Sequence, residues 1–131
     1  MRGALDALGV ERVDHGIRSM ADPSLVARLR EEQIGLTVWP LSNVALRAVP
    51  DLAAHPLRSM LDAGLRVTVN SDDPAYFGGY LHDNTAAVSK ALGLAAADRR
   101  LLAENSFRSS FLPEADKQRH LAAVAAAAGS A

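Results

Sequence analysis

The sequence predicts an α/β fold built on parallel strands. Three runs read as strands: Glu11–Val13, Leu36–Trp39 and Arg66–Val69, the last two rich in β-branched residues. They recur about every 25 to 30 residues. Helical signals lie between them, which is the spacing of βαβ units joined by right-handed crossovers.

The elements follow in order. The first strand is short and follows Gly9. Asp22-Pro23 then supplies an N-cap with proline at the first helical position, and Leu25, Val26 and Leu29 fall on one face of the helix that follows. The second strand follows Gly35. Pro56 starts a second helix with Leu57, Met60 and Leu61 on one face, and Gly64 is placed to end it before the third strand. Beyond that strand the pattern changes. Ala75–Tyr80 is expected as a glycine- and aromatic-rich loop, Asp83–Leu92 as a helix ended by Gly93, and Asp98–Phe111 as another. A last helix follows Pro113 and gives way to an alanine-rich tail over about 122–131.

Composition narrows the function classes. The 131 residues make room for one domain, and 49% hydrophobic against 22% charged residues supports a folded core. Fourteen Lys and Arg against fifteen Asp and Glu give a net charge of −1, with no electrostatic case for nucleic acid or an acidic membrane. No apolar run reaches the length of a transmembrane span, and Asp6 falls where a signal peptide would be apolar. The absence of cysteine excludes disulfides, thiolate nucleophiles and Cys-ligated zinc, and fits a cytoplasmic protein.

The informative pattern is positional, since each strand ends in a polar cluster. The first runs into Asp14-His15-Gly16, the second into Pro40-Leu41-Ser42-Asn43, and the third into Asn70-Ser71-Asp72-Asp73-Pro74. Ligands of parallel α/β proteins bind at the carboxyl ends of strands. A carboxylate there can ligate a cation, a second can accept a hydrogen bond from a substrate N–H, and a histidine can hold or deprotonate a water. These residue types hint at metal-assisted hydrolysis. Plainer readings stand beside it. Asp72-Asp73-Pro74 also reads as a strand stop and helix cap, His15-Gly16 as a turn, Ser42-Asn43 as a plain loop, and Gly78-Gly79 as a flexible turn. His55 reads as the start of a helix, His82 as an exposed loop residue, and His120 as part of a polar helix. Phe107 and Phe111 read as packing residues, and Trp39 as packing near the mouth of the site.

At the same residues the sequence resembles a known family. Val13-Asp14-His15-Gly16, Pro40-Leu41-Ser42-Asn43 and Val69-Asn70-Ser71-Asp72-Asp73-Pro74 are similar, in order and spacing, to motifs of the adenosine/adenine deaminase family of metal-dependent hydrolases. Ser71–Tyr80, Asn105-Ser106-Phe107 and Phe111-Leu112 resemble the adenine deaminase branch. The resemblance implies a (β/α)₈ barrel with one zinc ion and hydrolytic removal of the 6-amino group of a purine base or nucleoside. It implies Asp72 as a zinc ligand, Asp73 as the residue that binds the purine ring at N7, and His15 as the residue that positions the attacking water and assists its deprotonation. Gly79 and its neighbours are implied in the loop beside the base pocket. Trp39 departs from the smaller residue usual at that place, which bears on the width of the pocket.

Other family motifs are absent. The sequence holds neither the His-x-His pair of the first strand nor the His-Ala-Gly-Glu-like motif of a later one. A barrel of this kind needs at least about 200 residues. The expectation is therefore the C-terminal third of such a barrel, residues 1–131 forming about three βα units plus C-terminal helices, with a missing N-terminal portion supplied in trans as its expected partner. The isolated chain is expected to bind zinc weakly and to turn over no purine. Adenosine and N6-substituted adenine are the alternative substrates. A docking or relic domain without catalysis and a small open-sheet binding module are the alternative roles.

Overall fold

The structure, a computed structural model, describes residues 1–130. Helix α1 (Arg2–Leu8) leads into strand β1 (Arg12–Val13), a 3₁₀ turn over Gly16–Ala21 and helix α2 (Pro23–Glu31). Strand β2 (Gly35–Val38) is followed by α3 (Pro40–Ala45) and α4 (Leu57–Asp62), and strand β3 (Val67–Val69) by α5 (Pro74–Phe77). Three longer helices complete the order: α6 (Leu81–Leu92), α7 (Ala96–Arg108) and α8 (Glu114–Gly129).

The sheet is parallel in the order β1-β2-β3, with Val13 opposite Leu36 and Leu36 opposite Val67. Alternation along the strands divides its two faces. Leu36, Val38, Val67 and Val69 join Leu25, Leu29, Leu57 and Met60 in the hydrophobic core. Thr37, Thr68 and Asn70 lie on the other face, where Asn70 Nδ2 donates to Thr68 Oγ1 at 2.9 Å.

Local signals explain the helices that cover the core. Asp22 caps α2 by accepting from Leu25 N at 3.2 Å, with Pro23 at the first position, and Leu25 and Leu29 are buried. Gly64 follows α4 at φ +75, a left-handed conformation that glycine adopts without steric cost. Gly93 plays the same part after α6.

The free edge of β3 is closed at one point. Leu36 N donates to Arg66 O and Asn70 N to Val38 O, so the alternation of a parallel ladder turns the Val67 carbonyl away from β2. Buried Asn105 of α7 donates to that carbonyl at 3.0 Å.

Several elements differ from expectation. The Ala75–Tyr80 segment carries the short helix α5 rather than a plain loop, because Asp73 and Pro74 together start a helical turn. Ser42 and Asn43 lie in α3, started by Pro40 at its first position. Helix α7 stops at Arg108, three residues before Phe111, where Ser109 turns in against Gly35. The alanine-rich stretch stays helical through Gly129, in keeping with alanine's high helix propensity, although no residue of α8 is buried. Among the described residues no helix is long and apolar enough to cross a membrane.

Candidate active site

Three parallel, adjacent strands bring their carboxyl ends side by side. Asp14 and His15 follow β1, Trp39 to Asn43 follow β2, and Asn70 to Asp73 follow β3. With neighbouring strands about 4.8 Å apart, β1 and β3 flank β2 at roughly 10 Å from one another.

His15 and Asp72 share an unusual backbone. Four non-glycine residues have positive φ among the described residues, and these are two of them, at φ 57 and φ 60. A side chain in this region costs on the order of 1 kcal/mol or more, and such strain concentrates at functional sites.

Contacts to the middle strand and its helix hold both ends. Ser42 Oγ donates to Asp72 Oδ2 at 2.8 Å, which joins α3 to the end of β3. Thr37 Oγ1 donates to Asp14 Oδ1 at 2.9 Å, which joins β2 to the end of β1. The His15 ring stacks on Trp39, centroids 3.9 Å apart and planes inclined by 29°. His15 and Asp72 thus each contact the segment between them.

Asp73 is exposed and caps α5, its Oδ1 accepting from Tyr76 N at 3.2 Å. Its Oδ2 is the oxygen left for another donor. Gly79 is buried where no side chain fits, because a Cβ there would overlap Leu41 Cδ1 and lie 3.2 Å from Asp83 Cβ. The glycine thus lets the α5–α6 connection close onto α3.

Two residues, Asn84 and His55, escaped the sequence reading as supports of this region. Buried Asn84 of α6 accepts from Leu41 N at 3.0 Å and donates to Gly79 O at 3.1 Å, which binds α3 to the Gly79 loop. Buried Asn43 faces His55, Oδ1 to Nε2 at 3.0 Å. His55 Nδ1 accepts from Leu57 N at 3.1 Å, which leaves its proton on Nε2 as donor to Asn43. Burial pushes the His55 pKa down from 6.5 to about 4. The Asn43 carbonyl also accepts from Ala48 N and Val49 N, so the 46–56 connection folds around this one residue. Pro56, the Leu57, Met60 and Leu61 face and Gly64 marked α4 in the sequence, and nothing there signalled the Asn43–His55 contact. A cleft of about 420 Å³, lined in part by His15, Arg18, Asn43 and Arg47, opens beside His15.

The donor set does not fit a complete metal site. No group of three or more His, Asp or Glu residues could hold a metal among the described residues. Zinc in a catalytic site takes three protein ligands, and at this edge Asp72 supplies one carboxylate. What the edge offers is one carboxylate held by a hydroxyl, a second with a free oxygen, and a stacked imidazole.

Comparison with known proteins decides the family. The chain matches the adenosine deaminase family over residues 1–127. The chain belongs to that family. It is 61% identical over 125 residues to the adenine deaminase of Streptomyces coelicolor, a match that covers 94% of this chain and 37% of that protein. Its fold superposes on the crystal structure of adenine deaminase from Arthrobacter aurescens with a TM-score of 0.92, at 56% identity over 95% of this chain and 38% of the other. An amidohydrolase from Burkholderia ambifaria, solved with bound zinc, gives a TM-score of 0.89 at 30% identity over 98% of this chain and 36% of the other. The chain therefore spans little more than a third of the length of these family members. The strands and helices are part of the (β/α)₈ barrel of this family, and the α/β class expected from the sequence holds.

Proposed function

We propose that this chain is the C-terminal share of a hydrolytic adenine deaminase. In the reaction, water replaces the exocyclic amino group of adenine, and hypoxanthine and ammonia leave. The observation that carries this reading is the 61% identity to an adenine deaminase across nearly the whole chain.

The roles are those that the family resemblance implies, and the free atoms of each side chain are compatible with them. Asp72 would offer one carboxylate oxygen to a zinc ion, which would supply Lewis-acid chemistry, and Ser42 holds that carboxylate through the other oxygen. The zinc-bound relative supports the choice of metal. Asp73 accepts a hydrogen bond from a purine ring N–H with the oxygen that the α5 cap leaves open. His15, held flat against Trp39, holds the attacking water and takes its proton. Gly79 keeps the loop beside the base close to α3. The chain alone lacks the remaining metal ligands and turns over no purine.

The test is a chimera in which this chain replaces the matching part of the Streptomyces coelicolor adenine deaminase. Rates on adenine, adenosine and an N6-substituted adenine are compared. Preference for adenine is expected. A folded chimera that prefers adenosine would move the reading to a nucleoside deaminase.

A further inference from the structure

Trp39 is the only tryptophan of the sequence, and it directly follows β2 at the carboxyl edge of the sheet. Its own place is fixed: the Trp39 carbonyl accepts from Asn43 N at 2.7 Å, and buried Pro40 follows it at the start of α3. The backbone around His15 is fixed as well. Thr37 holds the side chain of Asp14 just before it. Buried Ser19 donates its Oγ to Gly16 O at 2.7 Å just after it. Gly16 lies so close to β2 that a Cβ there would stand 3.1 Å from Leu36 Cβ. What the backbone leaves open is the plane of the imidazole, which turns about a torsion with broad minima.

A histidine that handles protons is ordinarily aimed by a hydrogen bond on one ring nitrogen. His15 makes no such bond. Among the described residues, the histidine ring nitrogens in hydrogen bonds are those of His55 alone. His15 has the indole instead, with centroids 3.9 Å apart and planes inclined by 29°. Contact between faces fixes a ring plane and leaves the ring edge open, so both His15 nitrogens stay available to a water. Aromatic pairs of this kind attract beyond the area they bury. His15 is exposed and Trp39 half-buried, so the tryptophan is the anchored member of the pair.

We propose that Trp39 is the positioning residue of His15: the stacked indole sets the plane of the imidazole, and with it the line along which a ring nitrogen takes the proton of the attacking water. That proton moves from the water oxygen to the unprotonated ring nitrogen, and the electron pair left on oxygen is the nucleophile. The identity of the water rests on the deaminase reading; the plane of the ring rests on the stack alone. Trp39 acts only through His15.

The test has two arms, and the first needs no catalysis. In the 131-residue chain the His15 ring protons are assigned by their loss in His15→Gln. Nuclear Overhauser effects from them to the indole are expected, and ¹³C relaxation should give the ring an order parameter near the rigid value of about 0.85. In Trp39→Leu, which keeps apolar bulk without a flat face, it should fall below about 0.6, and in Trp39→Phe it should hold. The chimera is read in the same way, and serves alone if the chain gives a poorly dispersed spectrum. Missing Overhauser effects in folded protein, or unchanged order in Trp39→Leu, would overturn the proposal. In the second arm, kcat of the chimera on adenine is expected to fall about 10- to 100-fold in Trp39→Leu with KM little changed, and to recover in Trp39→Phe. Full kcat in Trp39→Leu, or an equal loss in both variants, would make Trp39 a packing residue only and overturn the proposal as well. A chimera with an ordered His15 ring that releases no ammonia contradicts the deaminase reading instead, and ring order in the variants still decides the part played by Trp39.

Discussion

Ser42 Oγ donates to Asp72 Oδ2 at 2.8 Å, across thirty residues of chain and from a neighbouring element. That one bond fixes a carboxylate whose backbone stands at φ 60 and whose side chain is otherwise exposed. Partners of this kind orient a metal-binding carboxylate, and their loss costs about 10- to 100-fold in metal affinity or activity. Ser42→Ala in the chimera is therefore expected to lower kcat by about that factor, with KM for adenine little changed and less zinc retained per protein. Steady-state kinetics and metal analysis check it. An unchanged kcat would show that Ser42 has no hold on the site.

His55 makes stability depend on pH. Its pKa is about 4 in the folded chain and 6.5 when unfolded, so between those values the unfolded state binds more protons. Stability contributed by His55 is full above pH 6.5 and is lost as pH falls toward 4, on the order of 3 kcal/mol in all. Urea unfolding at pH 7 and near pH 4 measures the loss. In His55→Gln that share of the pH dependence is expected to vanish, while stability at pH 7 drops because Asn43 Oδ1 or Leu57 N loses its partner.

Gly79 is expected to tolerate a methyl group only when space is made for it. Gly79→Ala sets a Cβ against Leu41 Cδ1 and should cost about 1–3 kcal/mol. Leu41→Ala in the same protein removes the obstacle, so the pair should be less destabilising than the sum of the single changes. A double-mutant cycle by denaturant unfolding reads this coupling, and strict additivity would contradict the close approach.

Asn105 protects the open side of the sheet. Asn105→Leu leaves the Val67 carbonyl buried without a donor and is expected to cost about 1–3 kcal/mol. Hydrogen exchange should also quicken at Val67 and Thr68 more than in α2. Equal acceleration throughout would point to general destabilisation instead.

Much of this was legible in the sequence, for local reasons. Asp22-Pro23 and Gly64 mark α2 and the end of α4 through bonds and φ values that neighbouring residues decide. The strands show themselves by β-branched runs after glycine. What was hidden depends on tertiary structure. Nothing local announces that His15 and Asp72 adopt positive φ, since non-glycine residues do so only where surroundings impose it. Ser42 and Asn43 resembled a loop because their value lies in partners 30 and 12 residues away. His55 gave no sign of burial, and Arg66 no sign that its Nε would lack a partner. Asp73 carries two readings at once: it caps α5, and it keeps an oxygen free.

The most direct measurement is ammonia release from adenine by three purified proteins: the 131-residue chain, the chimera, and the chimera with Asp72→Ala. The expected result is one hypoxanthine and one ammonia per adenine from the chimera, and none from the other two. A folded chimera that releases no ammonia, or an Asp72→Ala chimera at full rate, would contradict the assignment of this sheet edge to adenine deamination.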